Sequence, residues 1–144
     1  MIRKATPADI EMIVALGIEA LSRGAYPNLV ISHGKVYAMA RQCISSAQNF
    51  SWVAERDGKV VGAVSALVHE CTFHEGQKAS VVQVYTTVPG EGIKLVRAFL
   101  RWARARPAIK MISFTLEHDA DPRIGTMLRR LGVGRELRVF LESL

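Results

Sequence analysis

At 144 residues the chain is sized for one compact domain with a buried core, and a hydrophobic content of 49% excludes global disorder. The net charge of +6 is moderate and much of it falls late, where Arg97, Arg101 and Arg104 recur at helical spacing. A solvated helix face accounts for that stripe, and an anionic partner is the sharper alternative. No apolar run approaches the ~20 residues of a membrane span. Met1-Ile2-Arg3-Lys4 leads into no signal-peptide apolar region. The two cysteines, Cys43 and Cys71, fit reduced thiols in the cytoplasm better than a disulfide.

Residues 2–5 read as a short strand. Thr6-Pro7-Ala8-Asp9 then reads as a helix start, with Thr6 as N-cap, Pro7 at the first helical position and Asp9 in the first turn. Ile10, Ile13, Val14, Gly17 and Leu21 share one face of that helix, which ends around 22–24. Residues 25–34, with Pro27, Asn28 and Gly34, form a loop, and a second helix buries Val36, Met39, Ala40, Cys43, Ile44 and Ala47. Residues 50–55 and 59–68 are strands joined by a tight turn at Asp57-Gly58. The polar stretch 69–79 is a loop or wide hairpin, and 80–88 is the central strand. The next helix, starting near Ile93, buries Leu95, Val96, Phe99 and Ala103 and is closed by Pro107. Residues 110–116 are a strand. A last helix opens near Asp121-Pro122, buries Ile124, Met127, Leu128 and Leu131, and stops at Gly132; residues 135–144 alternate as a final strand. The order is β-α-α-β-β-β-α-β-α-β. Its strand–helix–strand unit around Gly90 calls for one parallel crossover, hence an α/β fold with a mixed, mostly antiparallel sheet flanked by helices.

The turn Val88-Pro89-Gly90-Glu91-Gly92 carries the most chemistry. Two glycines let a ligand approach the backbone with no Cβ in the way, and the helix behind them offers unpaired N–H groups and a positive dipole end to an anion. Lys94 adds a local cation. A second cluster, His69-Glu70-Cys71-Thr72-Phe73-His74-Glu75, holds metal-capable side chains, but His33 and His118 are distant in sequence and no tetrahedral set is completed. It reads as a polar loop, and no metal is expected.

This element order, with a glycine turn after the fourth strand, resembles the GNAT superfamily of N-acetyltransferases over nearly the whole chain. Ile2-Arg3-Lys4-Ala5-Thr6-Pro7-Ala8-Asp9-Ile10 is similar to that family's opening, and the hairpin Trp52-Val53-Ala54-Glu55-Arg56-Asp57-Gly58-Lys59-Val60-Val61-Gly62-Ala63 resembles its second and third strands. The helix 95–103 sets a register that puts Gly90 and Gly92 on the two glycines of the cofactor signature and Thr87 where the family carries Gln or Arg. The segment 121–133 follows the family's last-helix pattern at Leu131 and Gly132, but places Asp121 at its Asn, Leu128 at its Tyr and Val133 at its Phe.

The resemblance implies acetyl-CoA as co-substrate, lying along Val84, Tyr85, Thr86 and Thr87, then over Gly90, Glu91, Gly92, Ile93 and Lys94, with Asp121 near the pantetheine arm. Asp121 with Pro122 behind it also reads as a helix N-cap. A backbone N–H near Tyr85 or Thr86 would hold the thioester oxygen, and Tyr85 and Glu70 are the candidates for moving the amine's proton. The expected function is transfer of acetyl to an unidentified primary amine, on a small molecule or a protein. The alternative is a catalytically lapsed module that binds CoA or a protein, motivated by Thr87 and Leu128. No nucleic acid is expected, since the Arg stripe lacks interleaved aromatics and any helix-turn-helix. No membrane partner is expected either, and the assembly compatible with the chain includes a homodimer.

Overall fold

The computed structural model describes residues 1–24, 26, 28–116 and 120–144. Strand β1 (Ile2–Lys4) leads through a 3-10 turn at Pro7–Asp9 into helix α1 (Ile10–Ser22). Helix α2 (His33–Ser45) follows, then strands β2 (Phe50–Arg56), β3 (Lys59–Glu70) and β4 (Gln77–Thr86), helix α3 (Glu91–Arg104), strand β5 (Ile109–Ser113) and helix α4 (Pro122–Arg130). The described strands form one sheet in the order β1-β2-β3-β4-β5. Neighbours run antiparallel except β4 and β5, which the α3 crossover makes parallel. This is the expected mixed α/β sheet.

Local chemistry explains the boundaries. Asp57 and Gly58 both have positive φ, 52° and 73°, as a two-residue hairpin whose twist matches its strands requires. Ser32 caps α2 by accepting from the Lys35 amide, so His33 and Gly34 belong to that helix rather than to the expected loop. Ala25 and Pro27 of that loop lie outside the described residues. Gly132, at φ 89°, ends α4 with Val133 N–H bonded to the Leu128 carbonyl and Gly132 N–H to that of Arg129. The left-handed residue thereby satisfies carbonyls that the helix end orphans.

The sheet separates two apolar layers. On one face, α3 and α4 bury Leu95, Val96, Phe99, Leu100, Ala103 and Leu128 against Phe50, Val64, Ala66 and Ala79. On the other, α1 and α2 bury Ile10, Ile13, Val14, Leu16 and Ala40 against Val53 and Ala63. Leu21, expected on the buried stripe of α1, is exposed, as are Met39 of α2 and Ile124 of α4. Leu21 and Ile124 lie toward the ends of their helices, whereas Met39 stands mid-helix, off to one side of the face of α2 that buries Ala40 and Cys43.

The expected final strand at 135–144 has no regular secondary structure, and Leu137, Val139, Phe140, Leu141 and Leu144 are exposed. Alternation supplies only half of a ladder; the other half is a partner edge. No helix among the described residues is long and apolar enough to cross a membrane.

One ion pair pins the chain start. Arg3 donates in bidentate fashion to Asp9 at 2.8 and 2.9 Å and also to Glu55 at 2.6 Å, while the Thr6 amide and hydroxyl donate to Asp9 Oδ2. The Arg3 guanidinium is the main cause that holds the Asp9 carboxyl down at about 2. A depressed folded-state pKa stabilises the fold above the unfolded value near ~3.9 and is lost as pH falls through the folded value. Asp9→Asn is therefore expected to cost about 2 kcal/mol at pH 6. Urea titrations read by tryptophan fluorescence should show the gap between wild type and variant closing as pH approaches 2. A gap independent of pH would contradict this assignment.

Candidate active site

Strand β4 is paired with β3 from Gln77 to Thr86, but with β5 only as far as Ser80, opposite Ser113. Beyond that point no described strand covers the β5-facing edge of β4, and such an edge presents free N–H and C=O groups. Within this stretch Val81 pairs with Ala66 and Gln83 with Ser65, so Val82 is the extra residue of a bulge and is exposed. The β4–β5 ladder thus closes at Ser80, and a gap lies beside β4 from there toward the glycine turn.

The turn itself is built around missing side chains. Gly90 is the N-cap of α3 at φ 85°, ψ −20°, a left-handed conformation that glycine adopts without strain. A Cβ on Gly92 would stand 3.4 Å from Thr86 Cγ2. Across the hairpin, a Cβ on Gly62 would stand 2.9 Å from Thr86 Cβ, so bare backbone on β3 is what admits Thr86. Thr86 Oγ1 accepts from the Val88 amide and itself lies 3.0 Å from the Val88 carbonyl, fixing the turn.

Glu91 sits at the helix start with only 3% of its surface exposed. Its Oε1 accepts from Arg56 at 3.0 Å and from Lys94 at 2.9 Å, while Oε2 has no hydrogen-bond partner. Lys94 is the first cause that lowers its pKa. One carboxylate and two half-exposed cations leave a net positive charge beside the first amides of α3, which have no intrahelical partners. An anion at this turn would meet both.

At the other face of β4, Tyr85 reaches α1. Its hydroxyl donates to Glu19 Oε1 at 2.7 Å, and Arg23 donates to the same oxygen at 2.8 Å. The Arg23 guanidinium lies 5.6 Å from the Tyr85 ring centroid. The Glu19 carboxylate is the main cause that raises the Tyr85 phenol, which stays protonated. Gly17 permits this approach, since a Cβ there would stand 3.2 Å from Gln83 Oε1.

No family model matches the chain, and no curated protein matches its sequence. Solved structures do match. A predicted acetyltransferase from Clostridium acetobutylicum, determined with acetyl-CoA, superposes with a TM-score of 0.76 at 20% identity, covering 100% of this chain and 95% of that one. An aminoglycoside N-acetyltransferase in complex with CoA gives 0.75 at 14%, covering 100% and 93%. The glucosamine-6-phosphate N-acetyltransferase of Arabidopsis thaliana gives 0.73 at 12%, covering 99% and 97%. The fold is that of the GNAT N-acetyltransferases.

Within this GNAT fold the residues singled out from sequence do not all meet. Val84, Tyr85, Thr86 and Thr87 run along the end of β4 into the turn, and Gly90, Glu91, Gly92, Ile93 and Lys94 form the first turn of α3. Thr87 has its hydroxyl on the Val61 carbonyl at 3.2 Å. Asp121 caps α4, accepting from the Arg123 amide at 2.9 Å, and also pairs with the Arg123 side chain. Leu128 is buried among α3 side chains. Glu70 is paired with Gln77, at the opposite end of β4 from Tyr85. The two catalytic candidates therefore do not form one site. Strand β3 runs two residues past its expected end, which carries Glu70 away.

The residues that sequence reading missed are Glu19, Arg23, Arg56 and Gln83. Tyr85 and Glu19 are separated by 66 positions, and no local pattern couples them. A buried glutamate inside the glycine signature was the one available signal, since it demands cationic partners.

Among the described residues no three His, Cys, Asp or Glu side chains are grouped to hold a metal. His118 lies outside the described residues. Both ring nitrogens of His69 are engaged by protein oxygens. EDTA and reductant are expected to leave the melting curve unchanged, checked by calorimetry; a fall of several degrees would reinstate a site at His69, Cys71 and His74.

Proposed function

We propose that this protein is an acetyl-CoA-dependent N-acetyltransferase acting on a primary amine of a small molecule or a protein. One observation carries the reading: the free edge of β4 runs from a glycine turn of net positive charge to a closed vertex at Ser80. Gly90 and Gly92 leave room that a Cβ would fill, so a pyrophosphate fits over the amides of residues 91–94, with Arg56 and Lys94 as counter-charges. The thioester supplies an activated acyl carbon. The chain's own part is to bind and orient it, with a backbone amide of β4 near Tyr85 or Thr86 to take the carbonyl oxygen.

For the acceptor, Glu19 and Tyr85 supply a carboxylate and a protonated phenol on the α1 side of β4. The carboxylate attracts an ammonium group, and the hydroxyl passes a proton between substrate and Glu19. Tyr85→Phe is expected to keep acetyl-CoA binding while slowing transfer ~10²-fold. The assay is thiol release from acetyl-CoA across an amine panel, with binding measured by calorimetry. Absence of binding would reject the reading, and an unaltered rate in Tyr85→Phe would reject the role of that phenol.

A second reading, a lapsed CoA-binding or interaction module, draws on Leu128 and Thr87. Leu128 is 6% exposed and packs in the core with no proton to give a leaving thiolate, and the Thr87 hydroxyl donates to the Val61 carbonyl. Tight binding without turnover on any amine favours that reading.

A further inference from the structure

Where the chain leaves β1 it turns through Thr6 and Pro7 into α1, and the C-terminal half of α2 passes beside that turn. The two do not close on one another. Between them lies a cleft of about 510 Å³, within the ~300–1,000 Å³ range of small-molecule sites. Its floor is apolar: Ala5 and Ile10 are buried, and Ile44 is half-buried against the same core layer. Pro7 adds a ring with no N–H to leave unpaired. The exposed rim carries Lys4 from the end of β1, with Arg41 and Ser45 from α2. Strand β1 is the sheet edge opposite β5, so this cleft is separate from the gap beside β4.

The charge of the cleft is one-sided. No carboxylate lines it. Asp9, at the foot of the same turn, has its oxygens taken by Arg3 and Thr6 and does not face the cleft. Among the described residues neither the Lys4 ammonium nor the Arg41 guanidinium has a side-chain partner, and the Ser45 hydroxyl has none either. Two unpaired cations over an apolar floor concentrate a positive field in a concave site. Water satisfies such a rim but not such a floor.

We propose that this cleft is a binding site for a small amphipathic carboxylate, an anionic head on an aliphatic or aromatic body. The head lies between Lys4 and Arg41: the guanidinium fork matches a planar carboxylate, and the ammonium adds a point charge. The Ser45 hydroxyl is free to donate to the same head. The body covers Ala5, Ile10 and Ile44 and removes their remaining surface from water. A bound ligand joins α2 to the start of the chain and stabilises the folded state by mass action. The site is independent of the acetyl-CoA reading, since it uses none of the residues of the glycine turn or of β4.

The test titrates octanoate into the full chain, with affinity from calorimetry and location from methyl resonances. The expected result is saturable binding that raises the melting temperature and moves the Ala5, Ile10 and Ile44 methyl signals. Octylammonium keeps the body and reverses the charge, and acetate keeps the head without the body. Each should bind at least ~10-fold more weakly than octanoate. Arg41→Gln and Lys4→Gln should each weaken octanoate ~10-fold, and Ser45→Trp, which fills the rim, should abolish binding. All three positions are exposed, so the ligand-free variants should melt with the wild type. Equal affinity for octylammonium, undiminished affinity in both cation variants, or shifts confined to methyls away from this cleft would overturn the proposal.

Discussion

Phe99→Ala is expected to lower stability by ~3–5 kcal/mol, the cost of removing a fully buried aromatic ring. Phe99 of α3 has no exposed surface. Its ring meets Phe50 edge-on at 5.4 Å and Phe114 edge-on at 5.6 Å, and lies 6.2 Å from Trp102. This cluster joins α3 to β2 and to the segment after β5, so the cavity would open at the junction of three elements and cannot be filled by one side chain. Against a total of ~5–15 kcal/mol for a natural domain, the loss is a large fraction. The melting temperature should fall by roughly 10–20 °C. Urea unfolding followed by Trp102 fluorescence would give a lower midpoint with an unchanged slope. A loss under ~1 kcal/mol would mean that the neighbouring rings close the cavity, and that this cluster does not hold α3 to the sheet.

The double variant Gly90→Val, Gly92→Val is expected to abolish stabilisation by acetyl-CoA while leaving the domain folded. In the wild type, ligand at a hundred times its Kd should add ~2.7 kcal/mol of stability. In the variant that increment should vanish. The valine at position 92 puts methyl groups over the first amides of α3, where its Cβ already comes within 3.4 Å of Thr86. The valine at position 90 must adopt φ 85°, which costs a β-branched residue ~1–2 kcal/mol. No heavy atom lies within 4 Å of a Cβ there, so the cost is strain rather than a clash. Thermal scans with and without acetyl-CoA measure both effects. Equal ligand shifts in the two proteins would move the binding site away from this turn.

Which parts of this molecule could be read ahead of its structure follows from the range of each signal. The helices over α1, α3 and α4 announce themselves through period-3.6 burial and through caps made by neighbours in sequence, such as Asp121 on Arg123. The β2–β3 hairpin is encoded in Asp57-Gly58, because the turn geometry selects those residues. The glycine turn is legible for the same reason: Gly90 must take a left-handed φ whatever surrounds it. The alternation of residues 135–144 misleads because strand pattern says nothing about whether an edge is present to receive it.

The candidate site is another matter. The bond from Tyr85 to Glu19 and the clamp of Arg56 and Lys94 on Glu91 cross between elements. Their existence depends on strand register and on how closely α1 packs over β4. A one-residue shift in either strand would send Ser80 or Tyr85 to the other face of the sheet. The sequence by itself determined the order of elements, the glycine turn and the caps, because each is fixed by residues within about one turn of one another. Only the tertiary structure decided that β4 and β5 part after Ser80, that Glu70 stands at the far end of β4 from Tyr85, and which side chains share the gap. Those contacts are set by the pairing of strands distant in sequence, and by packing that no single segment encodes.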